Sequence, residues 1–374
     1  MTQNSSVYAR LRDRLSVTPM GAPQGDDFIE ILEMLFTPEE AEFSLVLPFL
    51  PAPLSDIARA AGMSVPDARR ILDSIADKGL GFLIDYNEDS YGMLADVVPG
   101  IYEFPIMKGT LDIDYDRLKE LWRRYHMNGW GGDEEPLGGP IPMGRILPVE
   151  TTLASSSVVL DRDSIEHYIR TASHLSVSHC SCRTTIEGCD RPREVCLGVG
   201  IGAKFLAERG IARLIDVDEA LAIVETAHKA GLVSVSSNSE NRVSFICHCC
   251  PCCCGQLAVA TVHGRYDLRP VGSNVALLDS ESCTACGVCE GICPMDAVAA
   301  DDGVVDPDRC IGCGLCVEAC PTGAITLVPR DPVPDVPATV FEWSQRAVEA
   351  KGTLNEYIKA LTVPTETADE TTDD

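Results

Sequence analysis

Long apolar runs are missing from this sequence of 374 residues. Stretches such as FSLVLPFLPAPL are broken by proline and fall far short of the ~20 apolar residues that a membrane-spanning helix needs. The first residues, MTQNSSVYARLRDRL, carry charges where the apolar core of a secretory signal would stand. We therefore expect a soluble, cytoplasmic protein without membrane insertion. Because thiols stay reduced in that compartment, abundant cysteines there favour metal ligands over disulfides.

Positive charge is scarce as well. Lysine and arginine number 30 against 57 acidic residues, which gives a formal net charge of −27. Such a surface repels nucleic acid and anionic membranes, so we expect neither as a partner. It suits redox protein partners with positively charged docking faces, although an acidic surface also serves solubility alone. The identities of donor and acceptor are left open.

Familiar catalytic signatures are also missing. No Ser-His-Asp arrangement is legible, and LGVGIGAKF at 197–205 lacks the GxGxxG spacing of a dinucleotide-binding loop. No flavin or nicotinamide site is visible, and no residue is assigned as catalytic. These absences favour an electron carrier over an enzyme, and they leave an oxidoreductase as the enzyme class to consider.

The length predicts several domains rather than one. We expect an α+β, multi-domain protein. Shifts in composition divide the chain into a helical region at 1–104, a helix and Gly/Pro linker at 105–150, a mixed cysteine-rich domain at 151–273, a compact cysteine repeat at 274–329, and a Pro-rich linker, helix and acidic tail at 330–374. The acidic tail is expected to be disordered.

Short helices followed by a hairpin are predicted in the first segment. TPEE at 37–40 is a capping box, Ser55 and Ser64 are expected to cap two short helices, and two apolar runs then flank a polar turn. This order resembles a winged-helix domain and covers about residues 27–104. In that family the second helix reads DNA, but residues 54–98 here carry eight acids and four bases, unlike a DNA-binding face. Protein docking or a purely structural role is favoured.

Cysteine is abundant, with eighteen in the chain. Eight of them fall in two segments that align without gaps, CTACGVCEGICPMDAV at 283–298 and CIGCGLCVEACPTGAI at 310–325. Three thiolates on one tight loop reach three corners of a [4Fe-4S] cube, and the fourth must come from elsewhere. Zinc sites favour paired CxxC knuckles instead. The spacing therefore indicates two [4Fe-4S] clusters.

The repeat resembles the bacterial two-cluster ferredoxin over residues 274–329. The resemblance implies a βαββαβ fold in which the fourth cysteine of each run binds the other cluster. Carried over to this chain, it gives two ligand sets: Cys283, Cys286, Cys289 and Cys320 for the first cluster, and Cys310, Cys313, Cys316 and Cys293 for the second. Around them we expect an apolar wrapper of Val288, Ile292, Ile311, Leu315 and Val317. Burial and backbone N–H bonds to sulfur would set the potentials.

Ten cysteines lie outside the repeat. Four of them fall within seventeen residues, Cys180, Cys182, Cys189 and Cys196. Arg183, Arg191 and Arg193 stand among them, and nearby cations lower thiol pKa values and raise the potential of a negatively charged cluster. We expect a third iron–sulfur cluster there, with structural zinc and reactive or buried thiols as alternatives.

The remaining six form the run CHCCPCCC, which contains Cys247, Cys249, Cys250, Cys252, Cys253 and Cys254. Neighbouring side chains diverge on an extended backbone, so six thiolates cannot all reach one ion. We expect a subset of two to four to bind a cluster, with sharing between this run and the 180–196 group left open. The others could be bystanders, a dithiol or ligands of an unusual centre, with His248 and His179 as weaker candidates. The run is expected to form a loop at a strand end, and substitution of Cys249 or Cys250 is expected to cost iron.

The order of these motifs resembles long 4Fe-4S ferredoxin-like proteins with a winged-helix-like region at the N-terminus. That resemblance implies electron transfer. We predict an iron–sulfur protein with two ferredoxin-type clusters and at least one more, passing single low-potential electrons to a partner redox enzyme. The alternatives are an iron–sulfur oxidoreductase with its catalytic centre at Cys247–Cys254, and a redox-sensing winged-helix regulator.

Overall fold

The computed structural model describes residues 6–22, 24–129, 141–153, 163–241 and 243–364. The chain forms two compact units, residues 1–125 with 348–374 and residues 126–347. Helices and sheets occur in both, which confirms the α+β class. Most of the predicted Gly/Pro linker, at 130–140, and the acidic tail, at 365–374, lie outside the described residues.

The first unit surrounds a small antiparallel sheet with helices. Its elements in chain order are α1 (Val7–Ser16), α2 (Asp26–Leu35), α3 (Pro38–Ser44), β1 (Ala52–Pro53), α4 (Leu54–Ala60), α5 (Val65–Asp77), β2 (Gly81–Tyr86), β3 (Asp89–Leu94), α6 (Glu103–Lys108) and α7 (Tyr115–Gly129). The strands lie in the order β1-β3-β2. Trp122 is fully buried in this unit, with its ring 4.9 Å from that of Tyr102.

Helix caps follow the sequence signals at two of three positions. Thr37 and Glu40 form the capping box, since each side chain accepts a hydrogen bond from the backbone N–H of the other. Ser64 caps α5. Ser55 does not cap α4, because that helix begins at Leu54 directly after β1. Pro53 takes the cap position, where its ring fixes φ at −55° and leads the chain into the helix one residue early.

The second unit contains a six-stranded antiparallel sheet in the order β4-β8-β9-β6-β5-β7. Its elements are β4 (Gly144–Leu147), α8 (Glu150–Leu153), α9 (Ile165–Thr171), β5 (Leu175–His179), α10 (Ser181–Ile186), β6 (Glu194–Val199), α11 (Ile201–Glu208), β7 (Arg213–Ile215), α12 (Val217–Lys229), β8 (Val233–Ser237), β9 (Phe245–Cys249) and α13 (Gly255–Thr261). An apolar core on this sheet includes Leu197, Ile246 and Val224.

The cysteine run does not lie wholly in a loop, contrary to expectation. Strand β9 continues through Cys249, because Cys247 pairs with Val235 and Cys249 with Val233 on the neighbouring strand. Residues 250–254 then turn into α13. The run is therefore part strand and part turn.

Strands and helices alternate as βαββαβ in the rest of this unit. They are β10 (Asn274–Leu278), α14 (Val288–Ile292), β11 (Val298–Ala299), β12 (Val304–Val305), α15 (Leu315–Ala319) and β13 (Ile325–Pro329), with β10 antiparallel to β13 and β11 antiparallel to β12. Helix α16 (Val340–Lys351) follows and ends in the segment that belongs to the first unit, as does all of α17 (Leu354–Ala360). A single helix was expected across both, but Gly352 at φ +74° separates them, since a left-handed glycine ends a helix. Among the described residues, no helix is both long and apolar enough to cross a membrane.

Candidate metal centres

Two cavities in the βαββαβ domain are each lined by four cysteines. A cavity of about 340 Å³ is lined by Cys293, Cys310, Cys313 and Cys316. A second, of about 290 Å³, is lined by Cys283, Cys286, Cys289 and Cys320. Each set joins three cysteines of one repeat to the last cysteine of the other, which is the crossed arrangement that the ferredoxin resemblance implies.

The backbone around these cavities wraps closely and offers N–H groups to sulfur. Ala276, Ala285 and Ala297 direct their backbone N–H groups at the sulfurs of Cys310, Cys283 and Cys293, at 3.5, 3.4 and 3.3 Å. Gly312 has φ +75°, and a Cβ there would lie 2.1 Å from the carbonyl oxygen of Asn274. Only glycine fits such an approach. Four thiols, N–H donors and an apolar lining suit a [4Fe-4S] cluster in each cavity.

The two cysteine sets differ in exposure. In the larger cavity Cys310, Cys313 and Cys316 are all buried, and burial raises the pKa of Cys316 to about 12. In the smaller cavity Cys286 is exposed and Cys320 is half-buried. Burial disfavours added negative charge, so the cluster of the buried set has the greater need of N–H donors. The set that contains Cys286 is therefore the more exposed of the two.

The apolar wrapper agrees with expectation at four of five positions. Ile311 and Leu315 are buried, and Ile292 and Val317 pack half-buried against the same core. Val288 was expected in the wrapper but is 46% exposed. It is the first residue of α14, as buried Leu315 is of α15, but α14 is less covered: a Cβ on Gly314 would meet Thr152, whereas one on Gly287 would meet nothing within 4 Å.

Six of the other ten cysteines form a closed ring of thiol contacts, which we call the six-thiol ring. Each thiol lies beside two others that shift its pKa, in the circular order Cys180, Cys182, Cys254, Cys249, Cys247, Cys196 and back to Cys180. These residues come from the start and first turn of α10, from β6 and β9, and from the start of α13.

Sheet geometry explains how the ring assembles. On an extended strand alternate side chains share a face, so Cys247 and Cys249 lie on one face of β9 and His248 on the other. Strand β6 is the neighbour of β9 and pairs Leu197 with Ile246, which brings Cys196 beside Cys247. The remaining members enter from the helix starts at either end.

Lowered and raised pKa values alternate around the ring. Interaction with the two thiols on either side holds the pKa values of Cys180 and Cys254 well below normal. The same arrangement lowers the pKa of Cys247 to about 6. The pKa values of the other three members are raised, because they interact with these neighbours and because they are buried. Six neighbouring thiols, three of which have lowered pKa values, suit a metal centre.

The last four cysteines form a tighter cluster, which we call the four-thiol group: Cys189, Cys250, Cys252 and Cys253. Their sulfurs all lie within 4.8 Å of one another, and within the described parts of the chain no other group of three or more metal-ligating side chains is as close. The sulfurs of Cys189 and Cys250 are 3.8 Å apart, as are those of Cys252 and Cys253.

The structure therefore groups the ten cysteines differently from the sequence-based expectation. Cys189 does not join Cys180, Cys182 and Cys196 but contacts the cysteine run, and the run itself divides evenly between the two sets. Both sets draw on both segments, a sharing that sequence analysis left open. Strand alternation could have paired Cys247 with Cys249, whereas no local signal indicates the path that carries Cys189 away.

Arg183 lies between the two sets. Its side chain is buried, and Nη1 donates to the His248 carbonyl oxygen at 2.9 Å and contacts the Cys250 sulfur at 3.8 Å. Nε and Nη2 have no hydrogen-bond partner among the described residues. Burial lowers the pKa of Arg183, but the charges of Cys180, Cys250 and Cys196 raise it more. A buried guanidinium is costly unless negative charge lies beside it, which these thiolates provide.

The other cations and histidines near the cysteines are less involved. Arg191 is half-buried and Arg193 is exposed. Burial lowers the pKa of His248 to about 3, so its imidazole is neutral. Its Nδ1 donates a hydrogen bond to the Val195 carbonyl oxygen at 2.7 Å. His179 is exposed at the end of β5. Thiols are therefore the candidate ligands in both sets.

Comparison with known proteins identifies one part of the chain. The family described as 4Fe-4S binding domain matches residues 276–299 and 304–326. No curated protein and no solved structure matches significantly. Together with the two four-cysteine cavities, the family match shows an iron–sulfur protein that carries [4Fe-4S] clusters in its ferredoxin-like domain.

Proposed function

We propose that the protein is an electron carrier that passes single low-potential electrons through two ferredoxin-type clusters and one further iron–sulfur cluster bound by the six-thiol ring. One observation carries this proposal. Cys249 and Cys254 of the ring belong to the same buried core as Cys289, Cys310 and Cys316 of the two cavities. Continuous packing between redox centres is what electron transfer within one protein requires.

The ferredoxin-like domain is fixed to the six-stranded sheet rather than tethered by a linker. Val149 N donates to the Cys313 carbonyl oxygen at 3.0 Å, and Gly272 N donates to that of Ile311 at 2.9 Å. Ile146 N, on strand β4, donates to the Val271 carbonyl oxygen at 3.3 Å. These bonds hold the clusters at a constant separation from the ring, which favours an internal electron path over a mobile shuttle domain.

The ring offers more thiols than one [4Fe-4S] cube needs. A cube takes four thiolate ligands, so two members would stay as hydrogen-bond donors or bind additional iron. Cys180, Cys196, Cys249 and Cys254 are all buried, which leaves a substrate little access. Burial therefore favours electron storage and transfer over the alternative, an oxidoreductase with its catalytic centre at Cys247–Cys254.

The first unit fits the role of a docking module better than that of a DNA reader. Its order α3-β1-α4-α5-β2-β3, with strands in the order β1-β3-β2, supports the resemblance to a winged helix. The bases of α5 and its cap are already ion-paired: Arg69 with Asp85, Arg70 with Glu39, and Lys78 with Glu40. Paired bases of this kind do not make the basic face that phosphates need, so the regulator reading is the weaker one.

The net charge of −27 supports a cytoplasmic redox partner with a basic docking surface. The exposed Cys286 marks the cluster at which such a partner would meet the electron path. Donor and acceptor would then both be proteins, and no small-molecule substrate is required.

Metal analysis and an EPR redox titration on anaerobically purified protein test the proposal. We expect about twelve or more iron and sulfide ions per chain and three reducible centres, because each cube contributes four of each. A Cys247→Ser variant should lose the third signal and keep the two ferredoxin signals. If the wild-type protein contains about eight irons and two reducible centres, the ring binds no cluster and the protein carries only the two ferredoxin clusters.

A further inference from the structure

We propose that the four-thiol group binds one zinc ion, separate from every iron–sulfur cluster. The ligands are the four thiolates of Cys189, Cys250, Cys252 and Cys253. The site closes on itself, with no position for substrate, and its role is structural.

The spacing of the sulfurs fits one ion. Zinc bonds thiolate sulfur at about 2.3 Å, so a regular tetrahedron around it has sulfur–sulfur edges of about 3.8 Å. The two measured edges, Cys189 to Cys250 and Cys252 to Cys253, are both 3.8 Å. Thiolates around a [4Fe-4S] cube must spread over four irons and stand farther apart. Within the described residues, neither ferredoxin set contains three sulfurs as close as these.

The local backbone brings adjacent cysteines to one point. Cys250, Cys252 and Cys253 lie in the turn between β9 and α13, where neighbouring side chains can converge as they cannot on a strand. Cys189 comes from the irregular segment between α10 and β6, which begins with Glu187 in the left-handed conformation. One ion would therefore tie this segment to the turn.

The four-thiol group also belongs to a different core from the ring. Cys250 and Cys253 pack with Val195, Ala227 and Leu232, and Cys189 packs against them. The ring members Cys247, Cys249 and Cys254 pack instead with the ferredoxin cavities. A closed site outside the electron path matches a structural ion, and a closed tetrahedral set of four thiolates is typical of zinc.

The charge of the surroundings is compatible with an anionic site. Four thiolates around Zn²⁺ leave a net charge of about −2. Buried Arg183 touches Cys250 at 3.8 Å and has two N–H groups without a partner among the described residues. An anionic zinc site would add negative charge beside this guanidinium, alongside that of the ring thiols.

Zinc X-ray absorption on the full-length, anaerobically purified protein tests the site directly. We expect one zinc per chain with four sulfur neighbours at about 2.3 Å. Cys189→Ser should remove the zinc and keep the full iron and sulfide content. The matched control, Cys196→Ser in the ring, should keep the zinc and lose iron.

Any of three results would overturn the inference. They are wild-type protein without zinc, wild-type protein with one isolated iron in its place, and a Cys189→Ser variant that loses cluster iron and sulfide. The wild-type absorption spectrum needs no variant, so it decides even if Cys189→Ser does not fold. Zinc and iron are measured separately. Absence of zinc would therefore not contradict the proposed ring cluster, and absence of a ring cluster would not contradict the proposed zinc site.

Discussion

Replacing Arg183 by methionine should lower the reduction potential of the ring cluster by about 100 mV. A unit charge 3.8 Å from the guanidinium, the separation of Nη1 from the Cys250 sulfur, interacts with it by about 4 kcal/mol at an effective dielectric constant near 20. An electron added to the ring cluster is spread over several atoms, and if their mean distance from the guanidinium is taken as roughly twice that value, the loss is about 2 kcal/mol. For a one-electron couple that is about 100 mV.

The assay is an EPR redox titration that resolves the ring signal from the two ferredoxin signals. The methionine side chain removes the charge and fills similar volume, whereas Arg183→Lys keeps the charge and should restore most of the potential. The ferredoxin signals should not move. The reasoning fails if the methionine variant retains its iron and its ring signal titrates within about 20 mV of wild type, or if all three signals shift together.

Two further predictions concern the first unit and the surface. Burial raises the pKa of Asp96 to about 6, with Thr18 and Lys351 opposing the shift. Its charged form is therefore disfavoured in the fold, and the cost, at most about 3 kcal/mol, is absent below pH ~4 and fully present above pH ~6. Asp96→Asn should slow hydrogen exchange in residues 80–106 at pH 8 and not at pH 4; equal effects at both would contradict this. Transfer from dithionite-reduced protein to cationic cytochrome c should slow roughly tenfold between low and high salt. A salt-independent rate would argue against acidic steering.

The ferredoxin-like domain was readable from the sequence because its chemistry is local. Cys283, Cys286 and Cys289 lie within seven residues of the chain. Their spacing alone therefore predicts three ligands of one [4Fe-4S] cluster. The crossed fourth ligand is not local and came from the resemblance to ferredoxins. Val288 was misplaced because its burial depends on residues outside the repeat: Thr152 lies beside the start of α15, whereas nothing lies within 4 Å of a Cβ placed at the start of α14.

The ten other cysteines could not be grouped from the sequence, because their neighbours are set by the sheet. Strands β6 and β9 are neighbours in the sheet, although β7 and β8 lie between them along the chain. This strand order brings Cys196 beside Cys247. The strand was expected to stop before the run, so the alternation that separates Cys247 and Cys249 from His248 was not applied. The position of Cys189 depends on the path of an irregular segment, and no periodic pattern in the sequence predicts that path.

Cys249 and Cys250 now give the sharpest test of that regrouping, because they are neighbours in the chain and belong to different centres. Cys249 is the last residue of β9 and faces the ring, whereas Cys250 begins the turn and contacts Cys189. Cys249→Ser should cost the ring its iron and leave zinc at one per chain. Cys250→Ser should cost the zinc and leave iron and sulfide unchanged, where sequence analysis alone expected both to cost iron. If both variants lose iron and no zinc is found in any of the proteins, the result would indicate that all ten thiols serve iron–sulfur centres.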